Sequence, residues 1–223
     1  MSEAVSKVKD TLRQLGYNQG TVRSPEDFYI TPKIAVVELL RRESFTGYGW
    51  ECASGSGAIS KFFPDIRSSD IRSDETVFGE KGVDFLKTKR KVDFIVTNPP
   101  FKLMLPFAKH ALECANKVAL FGRIQFLEGV ERYRFFQENP PKRIYVFSNR
   151  LSCYSNGDGK IGGMMCFCWF IWEKYYSGKP EINWILYSEK ERKESADIRT
   201  YSQYLASDLI GDLDRLPPRR PPY

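Results

Sequence analysis

The sequence predicts an α/β fold, a mainly parallel sheet with an antiparallel edge and helices on both faces. Three observations carry this expectation. Between Gly47 and Phe121, short apolar runs alternate with segments of helical spacing, the pattern of parallel strands joined by crossover helices. Val92–Thr97 is apolar and β-branched almost throughout, as a strand covered on both faces must be. After Arg143 the strand-like runs succeed one another with no long helix between them, which adds the antiparallel part.

Taken in order, Val5, Val8, Leu12 and Leu15 lie at helical spacing in an otherwise polar arm over residues 1–24. Pro32 after Thr31 marks a helix start, with threonine as cap and proline in the first turn, running through Leu40. Gly47–Cys52 reads as a strand entering a glycine-rich turn, and Ala58–Phe63 as the helix beyond it. Asp65–Ile71, Gly82–Phe85 and Val92–Thr97 are the next strands, followed by a helix over Leu103–Ala115 and a strand over Lys117–Phe121. Ile144–Phe147, Cys166–Glu173 and Ile182–Tyr187 close the sheet, and the 149–163 loop is long enough to suggest function. The end, Leu216-Pro-Pro-Arg-Arg-Pro-Pro-Tyr223, reads as a polyproline tail. The main domain is therefore expected over 25–190, and a C-terminal helix and tail over 191–223.

The 223 residues are 42% hydrophobic and 28% charged, which excludes a disordered or fibrous chain. No apolar run approaches a membrane span and the start lacks the order of a signal peptide, so a soluble, cytoplasmic protein is expected. The net charge of +6 is compatible with an anionic partner such as nucleic acid. Five cysteines without a C-x-x-C pair indicate neither a disulfide framework nor a structural zinc site. Cys166 and Cys168, two apart, are expected on one strand face as small buried hydrophobes. His110, the single histidine, excludes multi-histidine metal sites, and no metal is expected.

Three motifs carry chemistry. In Glu51-Cys-Ala-Ser-Gly-Ser-Gly57, at a strand end, Gly55 and Gly57 let the backbone turn sharply and a ligand approach closely. The dinucleotide pattern G-x-G-x-x-G is not met, since Ser60 stands at its third glycine. Asp70, at the next strand end, can accept hydrogen bonds from both hydroxyls of a ribose. Asn98-Pro99-Pro100-Phe101 follows the fourth strand. The Asn98 side-chain oxygen and the Pro99 carbonyl form two acceptors for the hydrogens of an exocyclic amine, held in place by two prolines. Phe101 can stack on a base swung out of its helix.

Together these residues resemble the S-adenosylmethionine-dependent amino-methyltransferases, particularly the DNA adenine N6 methyltransferases, over roughly Phe28 to Glu173. The motifs stand in the family's order, with 46 residues between Glu51 and Asn98. The resemblance implies a Rossmann-like methyltransferase sheet and S-adenosylmethionine as cofactor. It assigns Tyr29, Thr31 and Pro32 to the methionine end of that cofactor, Glu51, Ala53, Gly55 and Gly57 to the glycine-rich turn, and Asp70 with Ile71 to the nucleoside. Asp84 is expected at the cofactor's adenine amine, with Phe85 against the ring. Asn98, Pro99, Pro100 and Phe101 are the catalytic set, and Tyr154 is the candidate second aromatic for the flipped base. Leu120–Gly129, Pro140-Pro141, Tyr145-Val-Phe147 and Trp169-Phe-Ile-Trp172 are similar to the compact enzymes of bacteriophages and prophages.

Two departures qualify this. Cys52 and Ala53 stand where the family often has proline after the acid. The interval before Asn98 holds no target-recognition domain, and few residues follow Glu173, so short or relaxed specificity, recognition by the 149–163 loop and the N-terminal arm, or a recognition subunit or homo-oligomer is expected. Arg132, Arg134, Lys142, Arg143 and Arg150 are candidates for phosphate contacts on double-stranded DNA. RNA adenine or protein glutamine are alternative substrates, and an inactive nucleic-acid-binding module or a nicotinamide oxidoreductase are alternative classes.

Overall fold

Residues 29–151, 153–155, 160–161 and 165–207 are described in a computed structural model. The N-terminal arm, part of the 149–163 loop and the proline-rich end lie outside the described residues. A seven-stranded sheet runs in the order β10-β6-β9-β5-β4-β2-β3. Its strands are β2 (Gly49–Glu51), β3 (Ile66–Ser68), β4 (Val92–Thr97), β5 (Ala115–Arg123), β6 (Arg143–Phe147), β9 (Phe167–Glu173) and β10 (Glu181–Ile185). β1 (Tyr29–Ile30), β7 (Cys153–Ser155) and β8 (Lys160–Ile161) form a small second sheet in which β1 and β7 pair antiparallel.

All neighbours in the large sheet are parallel except those of β9, which runs against both β5 and β6. The antiparallel component expected at the edge is thus inside the sheet, and the edge strand β10 runs parallel to β6. Alternation divides the core between two faces. On β9, Phe167, Trp169 and Ile171 face one way with Ile34, Val37, Ile198 and Tyr204. Cys168, Phe170 and Trp172 face the other way with Phe107, Ala111 and Phe135. Helices α1 (Lys33–Leu40), α4 (Glu189–Asp197) and α5 (Tyr201–Leu205) cover or border the first face, and α2 (Met104–Cys114) and α3 (Val130–Glu138) the second. The buried Trp169 indole donates to the Ala35 carbonyl at 2.8 Å, fastening β9 to α1. No described helix is long and apolar enough to cross a membrane.

Local differences from the sequence reading have local causes. The helix expected over Ala58–Phe63 is a single 3-10 turn, Ser60–Phe62, because Pro64 forces Phe63 into extended backbone. Gly82–Phe85 forms no strand: Gly82 has φ +72°, and the Asp84 carboxylate caps a 3-10 turn, Phe85–Lys87. Pro32 rather than Thr31 is the N-cap of α1, leaving the threonine hydroxyl for another partner. Cys166 lies just before β9 and is half-buried, its thiol beside that of the buried Cys168.

A buried ion network clamps the end of the sheet where β5 and β6 begin. Glu43 accepts hydrogen bonds from Arg143, Lys117 and the Tyr145 hydroxyl, and Glu173 pairs with Arg143 and Lys142. Burial alone would raise the Glu43 carboxyl, yet the bonds and charges of Arg143 and Lys117 hold it below the ordinary glutamate range. Lys142 and Arg143 are therefore committed to structure, which removes them from the candidates for phosphate contact.

Candidate active site

The carboxyl ends of β2, β3 and β4 meet at the opposite end of the sheet. The chain passes outward from β2 to β3 and returns to the other side of β2 as β4, so the strand order reverses between β2 and β4. Such a switch point opens a crevice beyond the strand ends, where ligands bind. Here it is a cleft of about 600 Å³, lined by residues following all three strands and by β1.

Its floor is the glycine-rich turn. Gly55 and Gly57 have φ of +50° and +78°, and a Cβ on Gly57 would lie 2.6 Å from the Phe78 ring. Few other residue types adopt such backbone without strain. Asp70 fixes the turn from beside it: Oδ2 accepts the Gly55 N–H at 2.7 Å and Oδ1 the Arg72 N–H at 2.9 Å. A carboxylate has about four acceptor sites, so each oxygen retains capacity for a hydroxyl in the cleft. Glu51 lies 2% exposed beneath the turn and accepts the Ser60 hydroxyl. Burial pushes its carboxyl up to about 8, with the nearby Asp70 charge acting in the same direction and the Ser60 bond opposing.

The walls are apolar. Ile71, 63% exposed, faces the opening, and Val83, Leu86, Leu103 and Phe107 line the interior. Phe85 reaches the cleft from a core position, its ring against Trp50, Phe107 and His110. Asp84 lines the cleft while accepting the Leu86 N–H at 3.1 Å and pairing with Lys87. An apolar slot with acids at intervals suits a flat heterocycle carrying hydroxyl and amino donors.

At the other end Asn98 is held by β1. Its Nδ2 donates to the Tyr29 carbonyl at 2.8 Å and to the Thr31 hydroxyl at 3.0 Å. The carbonyl can only accept, which fixes the amide orientation and turns Oδ1 away from those partners. Among the described residues none donates to Oδ1 or to the Pro99 carbonyl. Pro100 starts a 3-10 turn, Phe101–Leu103, that carries Phe101 out of the main cleft. The Phe101 ring stacks on Tyr29 with centroids 5.4 Å apart and planes 16° from parallel. Both rings border a second cleft of about 200 Å³.

The structure thus gathers Tyr29, Thr31, Glu51, Ala53, Gly55, Asp70, Ile71, Asp84, Phe85, Asn98 and Pro100 around one cleft. Pro32, Gly57 and Pro99 shape its borders without lining it, and Phe101 lies in the adjoining one. Tyr154 is in β7, paired with Ile30; its side chain lies outside the described residues. Sequence reasoning missed Lys102, Leu103 and Phe107 in the main cleft and Arg123 beside Phe101. Arg123 ends β5, and its place at a carboxyl strand end was the available signal.

No family model and no curated sequence matches the chain. Solved structures do. A protein from Pyrococcus horikoshii named as an RNA methyltransferase aligns at 13% identity and a TM-score of 0.51, over 80% of this chain and 100% of its own. The fold is that of the Rossmann-like methyltransferases. A type I restriction-modification methyltransferase subunit from Streptococcus thermophilus shares the methyltransferase fold at 12% identity and a TM-score of 0.50. That alignment covers 96% of this chain but 64% of the subunit. An Agrobacterium tumefaciens protein named as an O-methyltransferase aligns at 11% identity and a TM-score of 0.51, covering 81% and 96%. Acceptors in these names differ, so within the methyltransferase fold the acceptor must be argued from residues.

Proposed function

We propose that this protein transfers a methyl group from S-adenosylmethionine to N6 of an adenine in double-stranded DNA. The observation that carries the reading is the fixed orientation of Asn98. With both amide hydrogens engaged by the Tyr29 carbonyl and the Thr31 hydroxyl, Asn98 Oδ1 is left as an acceptor at the cleft, and the adjoining Pro99 carbonyl has no donor among the described residues.

An adenine amine is a poor nucleophile because its lone pair is delocalised into the ring. Accepting one hydrogen each, Asn98 Oδ1 and the Pro99 carbonyl favour the pyramidal nitrogen whose lone pair is free to attack. When bound, S-adenosylmethionine supplies an electrophilic methyl on its sulfonium. Asp70 and the glycine-rich turn orient the nucleoside of that cofactor, Asp84 takes its amine, and Tyr29 with Thr31 border its methionine end. Holding both partners in line converts an encounter into an intramolecular step. The amine proton becomes acidic once the nitrogen is alkylated, so no histidine base is required, and His110 instead contacts the Thr88 carbonyl at 3.0 Å.

Asn98 rather than serine at the first motif position supports adenine over cytosine N4, and the net charge of +6 supports nucleic acid over a protein glutamine. The decisive experiment is digestion and mass spectrometry of DNA and RNA from cells with and without expression. N6-methyladenine in DNA is expected, with labelled methyl transferred in vitro and lost in Asn98→Ala while cofactor binding persists. N6-methyladenine confined to RNA, or full activity of Asn98→Ala, overturns the reading.

A further inference from the structure

The second cleft is built differently from the first. Tyr29 and Lys102 line both, so the two are contiguous across the Tyr29–Phe101 stack. Besides the aromatic rings, the smaller one presents three cations, Lys102, Arg123 and Arg132, with Gln125 and no carboxylate. Other partly buried cations of this protein, among them Arg41, Arg72, Lys117, Lys142 and Arg143, pair with acids. Among the described residues no acid pairs with Lys102, Arg123 or Arg132. The Arg123 guanidinium lies 4.4 Å from the Phe101 ring centroid and 6.0 Å from that of Tyr29, held by the ring faces rather than by a counter-ion. Its Nε is buried with no hydrogen-bond acceptor. Buried donors are nearly always satisfied, so an unmet one in a cleft leaves a place for an arriving acceptor, whether water, an ion or a ligand.

We propose that this cleft binds a backbone phosphate of the nucleic-acid strand that carries the target base, with Arg123 and Arg132 as its ligands and Lys102 at the rim. The inference rests on the adenine methyltransferase reading and deepens it by naming how the strand is held. Base and phosphate are joined parts of one nucleotide strand, and aromatic stack and cation cluster are joined in the same way here. A glutamine side chain of a protein substrate has no anionic group to place among three cations. Of the basic residues that the sequence offered for phosphate, Arg132 is the one that lines a cleft beside Asn98, while Lys142 and Arg143 are spent on Glu43 and Glu173.

The test measures the full-length protein against labelled oligonucleotides, single-stranded and duplex, by fluorescence anisotropy over a salt series, with cofactor affinity by calorimetry alongside. Arg132→Gln and Lys102→Gln are the primary variants; Arg123→Gln, whose Nε is the buried atom, is added. Each arginine variant is expected to weaken oligonucleotide binding about tenfold and to reduce the salt slope by about one, with cofactor affinity unchanged. A methylphosphonate at a phosphate flanking the target adenine should cost the wild type the same and Arg132→Gln nothing more. If the wild type methylates adenine but the variants keep its affinity and salt slope, the proposal falls and the reading stands. If the wild type binds oligonucleotides but methylates no adenine, the reading falls and the proposal with it. Displacement of the oligonucleotide by a glutamate-rich peptide that needs Arg132 also overturns it, in favour of a protein substrate.

Discussion

The Thr31 hydroxyl accepts a hydrogen bond from Asn98 Nδ2 at 3.0 Å, joining a catalytic candidate to a residue 67 positions earlier in the chain. With the Tyr29 carbonyl it fixes which way the Asn98 amide points. Thr31→Val removes the acceptor and keeps the volume of a buried side chain. One neutral hydrogen bond is worth about 1 kcal/mol, so methyl transfer should slow about five- to tenfold while cofactor affinity holds. Thr31→Ser should restore the rate. A Thr31→Val enzyme with unchanged kcat would show that the amide needs no second anchor.

This contact explains what the sequence could and could not reveal. Val92–Thr97 is legible as a strand because every residue but Asp93 is buried, and the motif after it is read from its own chemistry. The glycines at 55 and 57 are legible because few other residues tolerate their backbone. Long-range partners leave no such local mark. Glu43 finds Arg143 across 100 positions, and nothing near residue 143 distinguishes it from the exposed Arg150. Arg123 likewise reads as a strand end until folding sets it against Phe101. The shortened elements at 60–62 and 85–87 were obscured by apolar residues that pack well without regular hydrogen bonding.

Gly57→Ala tests the turn itself. The added Cβ meets the Phe78 ring at 2.6 Å, and φ of +78° disfavours any L side chain. A loss of about 1–3 kcal/mol is expected, together with weakened cofactor binding, because the Gly55 N–H and Asp70 are registered by the same loop. Urea denaturation and calorimetry check both. Wild-type stability with wild-type affinity would mean that the turn tolerates a methyl group.

Glu43→Gln addresses the clamp at the far end of the sheet. The substitution leaves Lys117 and Arg143 partly buried with their shared carboxylate gone, a change that costs on the order of 3 kcal/mol. The Glu43 carboxyl lies below its ordinary range in the folded protein, so its contribution is present in full above the unfolded value near 4.5. It is lost as the pH falls through the lower folded value. The stability gap between wild type and Glu43→Gln should therefore be widest at neutral pH and close in acid. A gap independent of pH would assign the loss to packing rather than to charge.

Glu51 carries the opposite sign. Its carboxyl titrates near 8 in the folded protein, because it is buried beneath the glycine-rich turn beside Asp70, whereas the unfolded chain releases that proton near 4.5. Between those values the folded state holds a proton that the unfolded state does not, and stability must fall as the pH rises. The contribution is complete below about pH 4.5 and gone above about 8, and over the whole window it amounts to a few kcal/mol, roughly. Glu51→Gln keeps the neutral form at every pH. Its Tm relative to wild type should rise steadily across this window and level off above it. Ionisation of Glu51 also sets a second negative charge beneath the turn that Asp70 organises, so cofactor affinity in the wild type should change near pH 8 and in Glu51→Gln should not. A constant Tm difference between the two proteins from pH 5 to 8 would show that Glu51 is already ionised in the fold.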